Sequence, residues 1–243
     1  MNVLLTIAYE GTAYAGWQRQ ENAVSIQQRV EEGLSALLGR ETKLTAASRT
    51  DAGVHALGQR ASFTAPAMPI PMDKLPQAIN GFLPKDIAIQ AAEAVADDFN
   101  PRFGALAKTY RYQIYNAPYP NPLHSRYSAF VPNKLDTAAM SKAAELFVGR
   151  HDFSAFCAAG SSAKTHRRTI FSCEIKEDGP LLSIYVSGDA FLYNMVRIMA
   201  GTLLYVGLGK ILDIPAIINS QDRTKAGKTM PAEGLCLLEV KYS

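Results

Sequence analysis

NVLLTIAYEG (Asn2–Gly11), followed by SIQQRVEEGLSALLG (Ser25–Gly39), sets the architecture. The first run is aliphatic and β-branched and stops at a glycine, which predicts a strand over Asn2 to Tyr9. In the second, Ile26, Val30, Leu34, Leu37 and Leu38 recur at helical spacing. Ser25 is an acceptable N-cap and Gly39 a stop. Working outward, Lys43 to Ala47 and Gln59 to Ala65 read as strands, Leu75 to Phe82 as a short helix and Ile87 to Val95 as a strand. The order is strand, helix, strand, strand, helix, strand. The second half repeats it. Ala107 to Tyr115 alternates as a strand, Asp136 to Phe147 is an amphipathic helix, and Thr169 to Lys176 and Leu181 to Ser187 are strands joined at EDGP. Tyr193 to Val206 is an apolar helix, a short helix starts near Pro215, and Leu235 to Val240 is a closing strand. The pattern predicts an α+β protein of two similar units, each an antiparallel sheet with helices on one face. The expected units are 1–103 and 104–243.

With 243 residues, 48% of them hydrophobic, the chain can bury a sizeable core. Its start has neither the basic region nor the apolar length of a signal peptide. No apolar run approaches the ~20 residues that span a bilayer. Three cysteines without CxxC spacing argue against a disulfide framework or a zinc site. The expectation is a soluble cytoplasmic protein with reduced thiols. Charge is uneven: residues 1–100 carry 8 Lys and Arg against 11 Asp and Glu, residues 101–243 carry 17 against 11. The resulting +6 in the second half, dense in KTHRR (Lys164–Arg168), admits an anionic partner such as nucleic acid or an ordinary solvated surface.

Between the two central strands of the first half lies ASRTDAGVHALGQ (Ala47–Gln59). Asp51 beside Ala52-Gly53 is on its own a turn residue. Its surroundings add a second reading. Arg49 stays charged and can hold a nearby carboxylate ionised, and Gly53 permits close backbone approach. His55 reads as a packing or hydrogen-bonding residue rather than a base. A single ionised Asp with no acid partner suits nucleophilic or proton-transfer work, not a paired-carboxylate glycosidase.

SRTDAGVH resembles the active-site signature of the tRNA pseudouridine synthases of the TruA type, G-R-T-D-A-G-V-H. Other segments resemble that family in the same order: YEGTAYAGWQRQ (Tyr9–Gln20), LPKDIAI (Leu83–Ile89), FNPRFGALAKTYRYQIYN (Phe99–Asn116), HDFSAF (His151–Phe156), RRTIF (Arg167–Phe171), FLYNMVRIMAGTLLYVG (Phe191–Gly207) and AEGLCLLEV (Ala232–Val240). The likeness spans essentially the whole chain. Ser48 departs from it, standing where the family usually has glycine.

The resemblance implies two ferredoxin-like units whose sheets join into one extended sheet, with an active-site cleft between them. It implies isomerisation of uridine to pseudouridine in the tRNA anticodon stem-loop, at positions 38, 39 and 40. No cofactor or metal would be needed, since no atoms are gained or lost. Asp51 would be the nucleophile or base, Arg197 its guanidinium partner, and Arg49 the residue that helps extrude the base. Tyr110 would stack on the flipped uracil. Arg102, Lys108, Arg111, Lys164, Arg167 and Arg168 are candidate phosphate contacts. The family's partners, tRNA and a second copy in a homodimer, are expected here too, with no membrane partner. A paralogue acting on another uridine or RNA, or a non-catalytic RNA-binding protein, are the alternatives. The set of Asp51, Tyr110 and Arg197 argues against the last, because binding alone does not require a carboxylate facing phosphate-rich RNA.

Overall fold

The computed structural model describes residues 1–210 and 213–242. The chain is α+β, with ten strands and five α-helices among the described residues. It divides into two compact units. One comprises Met1–Leu106 together with the C-terminal residues from Leu237, and the other Ala107–Cys236.

In the first unit, β1 (Asn2–Tyr9) is central. Helix α1 (Ile26–Leu38) begins where Ser25 Oγ accepts the Gln28 N–H and ends at Gly39, whose φ of 65° closes it in a left-handed C-cap. Ile26, Val30 and Leu34 are fully buried, so the helix is held by its apolar stripe. The remaining elements are β2 (Thr45–Ala46), β3 (His55–Thr64), α2 (Leu75–Asn80) and β4 (Ile87–Val95). Strand β1 pairs antiparallel with β3, from Asn2↔Thr64 to Tyr9↔Ala56, and with β4, from Asn2↔Val95 to Tyr9↔Ile87. Strand β2 lies on the other side of β3, giving the order β4-β1-β3-β2 of a ferredoxin-like unit.

Two boundaries here differ from expectation for identifiable reasons. β2 is short because the Leu44 N–H goes to Glu31 Oε1 on α1, at 2.9 Å, rather than to a strand. β3 starts four residues earlier than expected because Gly58 is a close-approach residue, not a loop residue. A Cβ there would lie 2.3 Å from the carbonyl oxygen of Leu238 in β10 (Leu235–Lys241), which runs beside β3. The outer flank of β3 is thus shared between β2, at Ala61 and Ser62, and β10.

The second unit contains β5 (Ala107–Asn116), β6 (Ala129–Val131), α3 (Thr137–Glu145), β7 (Gly149–Asp152), β8 (Arg167–Asp178), β9 (Leu181–Gly188), α4 (Met195–Gly207) and α5 (Ile214–Ser220). The order β5-β9-β8-β7 is antiparallel throughout. Its β5-β9-β8 core repeats the β1-β3-β2 arrangement of the first unit. Helix α3 is capped by Asp136, which accepts the Ala139 N–H at 2.9 Å. It ends before Phe147 because the N–H groups of Leu146, Phe147 and Val148 each donate three residues back, tightening the chain out of α-geometry. Helix α4 starts at Met195 rather than Tyr193 because Asn194 is left-handed, with φ 60° and ψ 10°. Strands β6 and β7 were not expected. GRHD in β7 has no apolar alternation, and β6 is only three residues long.

Candidate active site

The loop from Ala47 to Val54 is fixed along its length within the first unit. Its start is tied to β3: the Ala47 N–H donates to Arg60 O at 2.8 Å, and Gln59 Nε2, fully buried, donates to Ser48 O at 2.8 Å. Thr50 is held twice, its carbonyl accepting the Trp17 N–H at 3.0 Å and its Oγ1 lying 2.7 Å from the Tyr9 hydroxyl in a buried pair. The turn closes with the Val54 N–H on Asp51 O at 3.1 Å, and Gly53 takes φ 78°. Asp51 is therefore half-buried at the apex of a rigid turn, between buried Thr50 and exposed Ala52.

The segment Tyr9–Trp17 backs this turn, and two glycines explain how. A Cβ on Gly11 would sit 2.0 Å from Val54 O, and one on Gly16 would sit 2.5 Å from Thr50 O and 3.0 Å from the Asp51 carbonyl carbon. Backbone lies on backbone at both points. His55 contributes to the same contact: its Nδ1 accepts the Gly11 N–H at 3.0 Å, in a buried setting. Glu10 Oε1 approaches the same nitrogen at 3.5 Å. His55 holds the loop's backing, in keeping with the hydrogen-bonding role expected of it. Arg49 is exposed, flanked by buried Ser48 and Thr50, so the loop presents its guanidinium to solvent while its neighbours anchor it.

Tyr110 and Arg197 belong to the second unit. Tyr110 lies on β5 opposite Val186 of β9, is 7% exposed, and meets the ring of Phe191 edge-on at 5.1 Å. Tyr112 is on the same strand face but fully buried, its hydroxyl donating to Pro231 O at 2.8 Å. Burial, then the charge of Glu233, push its hydroxyl well above the ordinary tyrosine range, with Arg197 opposing. It is a core residue. Arg197 sits in the first turn of α4. Its Nε donates to Met230 O at 2.7 Å and its Nη1 to Asn194 Oδ1 at 2.6 Å.

The segment that offers Met230 O is locked to α4. A Cβ on Gly201 would lie 1.9 Å from Lys228 O, and one on Gly227 would lie 2.3 Å from Thr202 N. Thr202 Oγ1 accepts the Gly227 N–H at 2.8 Å, and Arg223 donates to Gly227 O and Thr229 Oγ1 at 2.9 and 3.1 Å. Gly11, Gly16, Gly201, Gly227, Asn194 and Arg223 were not anticipated as parts of the site. The only trace of the four glycines in the sequence is their place inside or beside otherwise regular elements.

The candidate phosphate contacts are dispersed. Arg102 is exposed, its guanidinium over the Phe103 ring at 5.7 Å. Strand alternation puts Lys108 on the Tyr110 side of β5 and Arg111 on the other. Lys164 and Arg167 are exposed. Arg168 is half-buried and turned back onto its own loop, with Nη1 donating to Thr165 O and Arg167 O. Among the described residues, no three His, Cys, Asp or Glu side chains gather in a way that could hold a metal ion, and no helix is long and apolar enough to cross a membrane. All three cysteines are buried.

The family described as tRNA pseudouridine synthase has a sequence profile that matches residues 5–104 and 143–243. The chain belongs to this family. Its curated relatives include a tRNA pseudouridine synthase A of Caldicellulosiruptor bescii, 47% identical over 243 residues and 99% of each chain. The tRNA pseudouridine synthase A of Ruminiclostridium cellulolyticum is 49% identical and that of Acetivibrio thermocellus 48%, again over 99% of each chain. Both matched stretches of the tRNA pseudouridine synthase profile contain the supports described above: Gly11, Gly16 and the Asp51 loop in one, α4 and its glycine-locked segment in the other.

Proposed function

We propose that the protein is an isomerase that converts uridine to pseudouridine in the anticodon stem-loop of tRNA. The observation that carries this reading is the Asp51 turn, a carboxylate on a loop clamped from β3 and from Tyr9–Trp17, in a chain that matches the family from end to end. The reaction breaks the bond from ribose C1′ to uracil N1 and makes one from C1′ to C5. The C5 proton leaves to solvent and N1 acquires one, so no redox or group donor is required.

In this reading Asp51 acts as nucleophile or base, attacking ribose or ring or taking a sugar proton. Each route needs it ionised while partly removed from water, which an adjacent cation favours. Arg197 supplies that cation. Arg49, exposed on the same loop as Asp51, contacts the backbone and fills the stack from which the uridine leaves, offsetting part of an unstacking cost of a few kcal/mol. Tyr110 stacks on the uracil, a contact worth ~1–3 kcal/mol. Arg102, Lys108, Arg111, Lys164, Arg167 and Arg168 supply the salt-dependent share of affinity. The working form is a cytoplasmic homodimer. The test is to incubate unmodified tRNA transcripts with the protein and map pseudouridine by chemical labelling and mass spectrometry. Conversion confined to the anticodon stem-loop and absent with Asp51→Ala is expected; no conversion by the wild type overturns the reading.

A further inference from the structure

We propose that Asn194 is a positioning residue for the Arg197 guanidinium, an inference that rests on the role of Arg197 proposed above. Asn194 occupies the N-cap of α4, a place where an Asn side chain ordinarily accepts a backbone N–H of the first turn. Here it makes no such bond. Its backbone instead takes the left-handed conformation, φ 60° and ψ 10°, one of only two non-glycine residues among those described to do so. Its Oδ1 receives Arg197 Nη1 at 2.6 Å. The left-handed backbone and the forgone cap are two departures from helix-start chemistry, and both are explained by one contact.

That contact complements the one at Met230. A guanidinium bound only through Nε can still turn about its Nε–Cζ bond, exchanging the two Nη groups. A second fixed acceptor on Nη1 stops that exchange and sets the plane of the fork, the feature that distinguishes Arg from Lys in recognising a carboxylate. Both acceptors are themselves immobile. Met230 O sits on the segment locked to α4 by Gly201, Gly227 and Thr202, and Asn194 opens the helix that carries Arg197. The Met230 N–H also returns to Arg197 O at 3.2 Å. The rest of the fork is thereby aimed in one direction. Reorienting it weakens its hold on a catalytic carboxylate without removing its charge.

Asn194→Gly tests this, because glycine keeps the left-handed backbone and removes only the acceptor. In nitrogen-resolved NMR, with Arg197 assigned by its loss in Arg197→Lys, wild type is expected to show two separate Nη environments and Asn194→Gly a single averaged one. In steady-state pseudouridine formation, kcat is expected to fall on the order of tenfold, with KM for tRNA within about twofold and the melting temperature nearly unchanged. The acidic limb of the kcat–pH profile should move to higher pH, because a misaimed cation stabilises the ionised carboxylate less. Undiminished kcat in Asn194→Gly, or unaveraged Nη signals, overturns the proposal. If wild type forms no pseudouridine, the functional reading fails, and the NMR comparison alone decides whether Asn194 orients Arg197.

Discussion

Gly16→Ala isolates the contribution of loop placement. The substitution has two physical consequences. At φ 87° an L-residue is strained by roughly 1–2 kcal/mol. The new Cβ would stand 2.5 Å from Thr50 O, where ordinary contact begins near 3.4 Å, so the Asp51 turn must retreat by about 0.9 Å. The obstacle is backbone, which cannot rotate away. A displacement near 1 Å at a reacting group costs on the order of 100-fold, so kcat should fall by about two orders of magnitude. Affinity for tRNA, spread over many contacts, should change little. Gly39→Ala is the matched control: φ is 65° but no atom lies within 4 Å of the new Cβ. It carries similar strain and moves nothing. For a chain of this size 1 kcal/mol corresponds to ~2–4 °C in Tm, so both variants should melt a few degrees lower and only Gly16→Ala should lose turnover. Single-turnover assays on a tRNA transcript, beside calorimetry, measure both. A fully active Gly16→Ala, or an equally impaired Gly39→Ala, would refute the reasoning.

Asp51→Ala should abolish product while filter binding still detects tRNA; turnover comparable to wild type would remove the carboxylate from the chemistry. Tyr110→Phe should keep more activity than Tyr110→Leu, because a ring that stacks is worth ~1–3 kcal/mol, and equal rates for the two would count against stacking. Thr50→Val removes the buried hydrogen bond to Tyr9 and should destabilise by about 0.5–1.5 kcal/mol, read as a shift in the urea midpoint. Burial, with Glu174 adding, raises the Cys173 thiol from 9.0 to about 12. Iodoacetamide at pH 8 should therefore label it only after denaturation. The sign for stability follows: the advantage of the neutral thiol is complete below pH 9 and is lost as pH climbs toward 12.

The elements that sequence reveals are those whose cause is local. Ser25 and Gly39 bound α1 as expected because both act through their own backbone neighbours. Asp136 caps α3 for the same reason. Asn194 shows where local reading stops: the apolar run reads as helix from Tyr193, but Asn194 is left-handed with its side chain on Arg197, and the helix starts two residues late. Gly58 reads as a strand breaker until Leu238, 180 residues away, is seen to need its missing side chain. Among the candidate residues, Asp51 and Arg49 draw attention through their own loop, whereas Tyr110 and Arg197 are singled out by the resemblance of their segments to the family's. The glycines that hold Asp51 and Arg197 in place leave no comparable mark, since what they contribute is absence of volume against a segment distant in sequence.

The return of the chain from Leu237 onward to the first unit bears on synthesis. A ribosome that has released residues 1–106 has delivered a sheet with one flank of β3 half uncovered. The seal arrives only with β10, roughly 10 s later at typical elongation rates. During that interval the flank of β3 that β10 will cover is open to any passing extended peptide. Loss of β10 would therefore injure a unit whose other strands are made well before it.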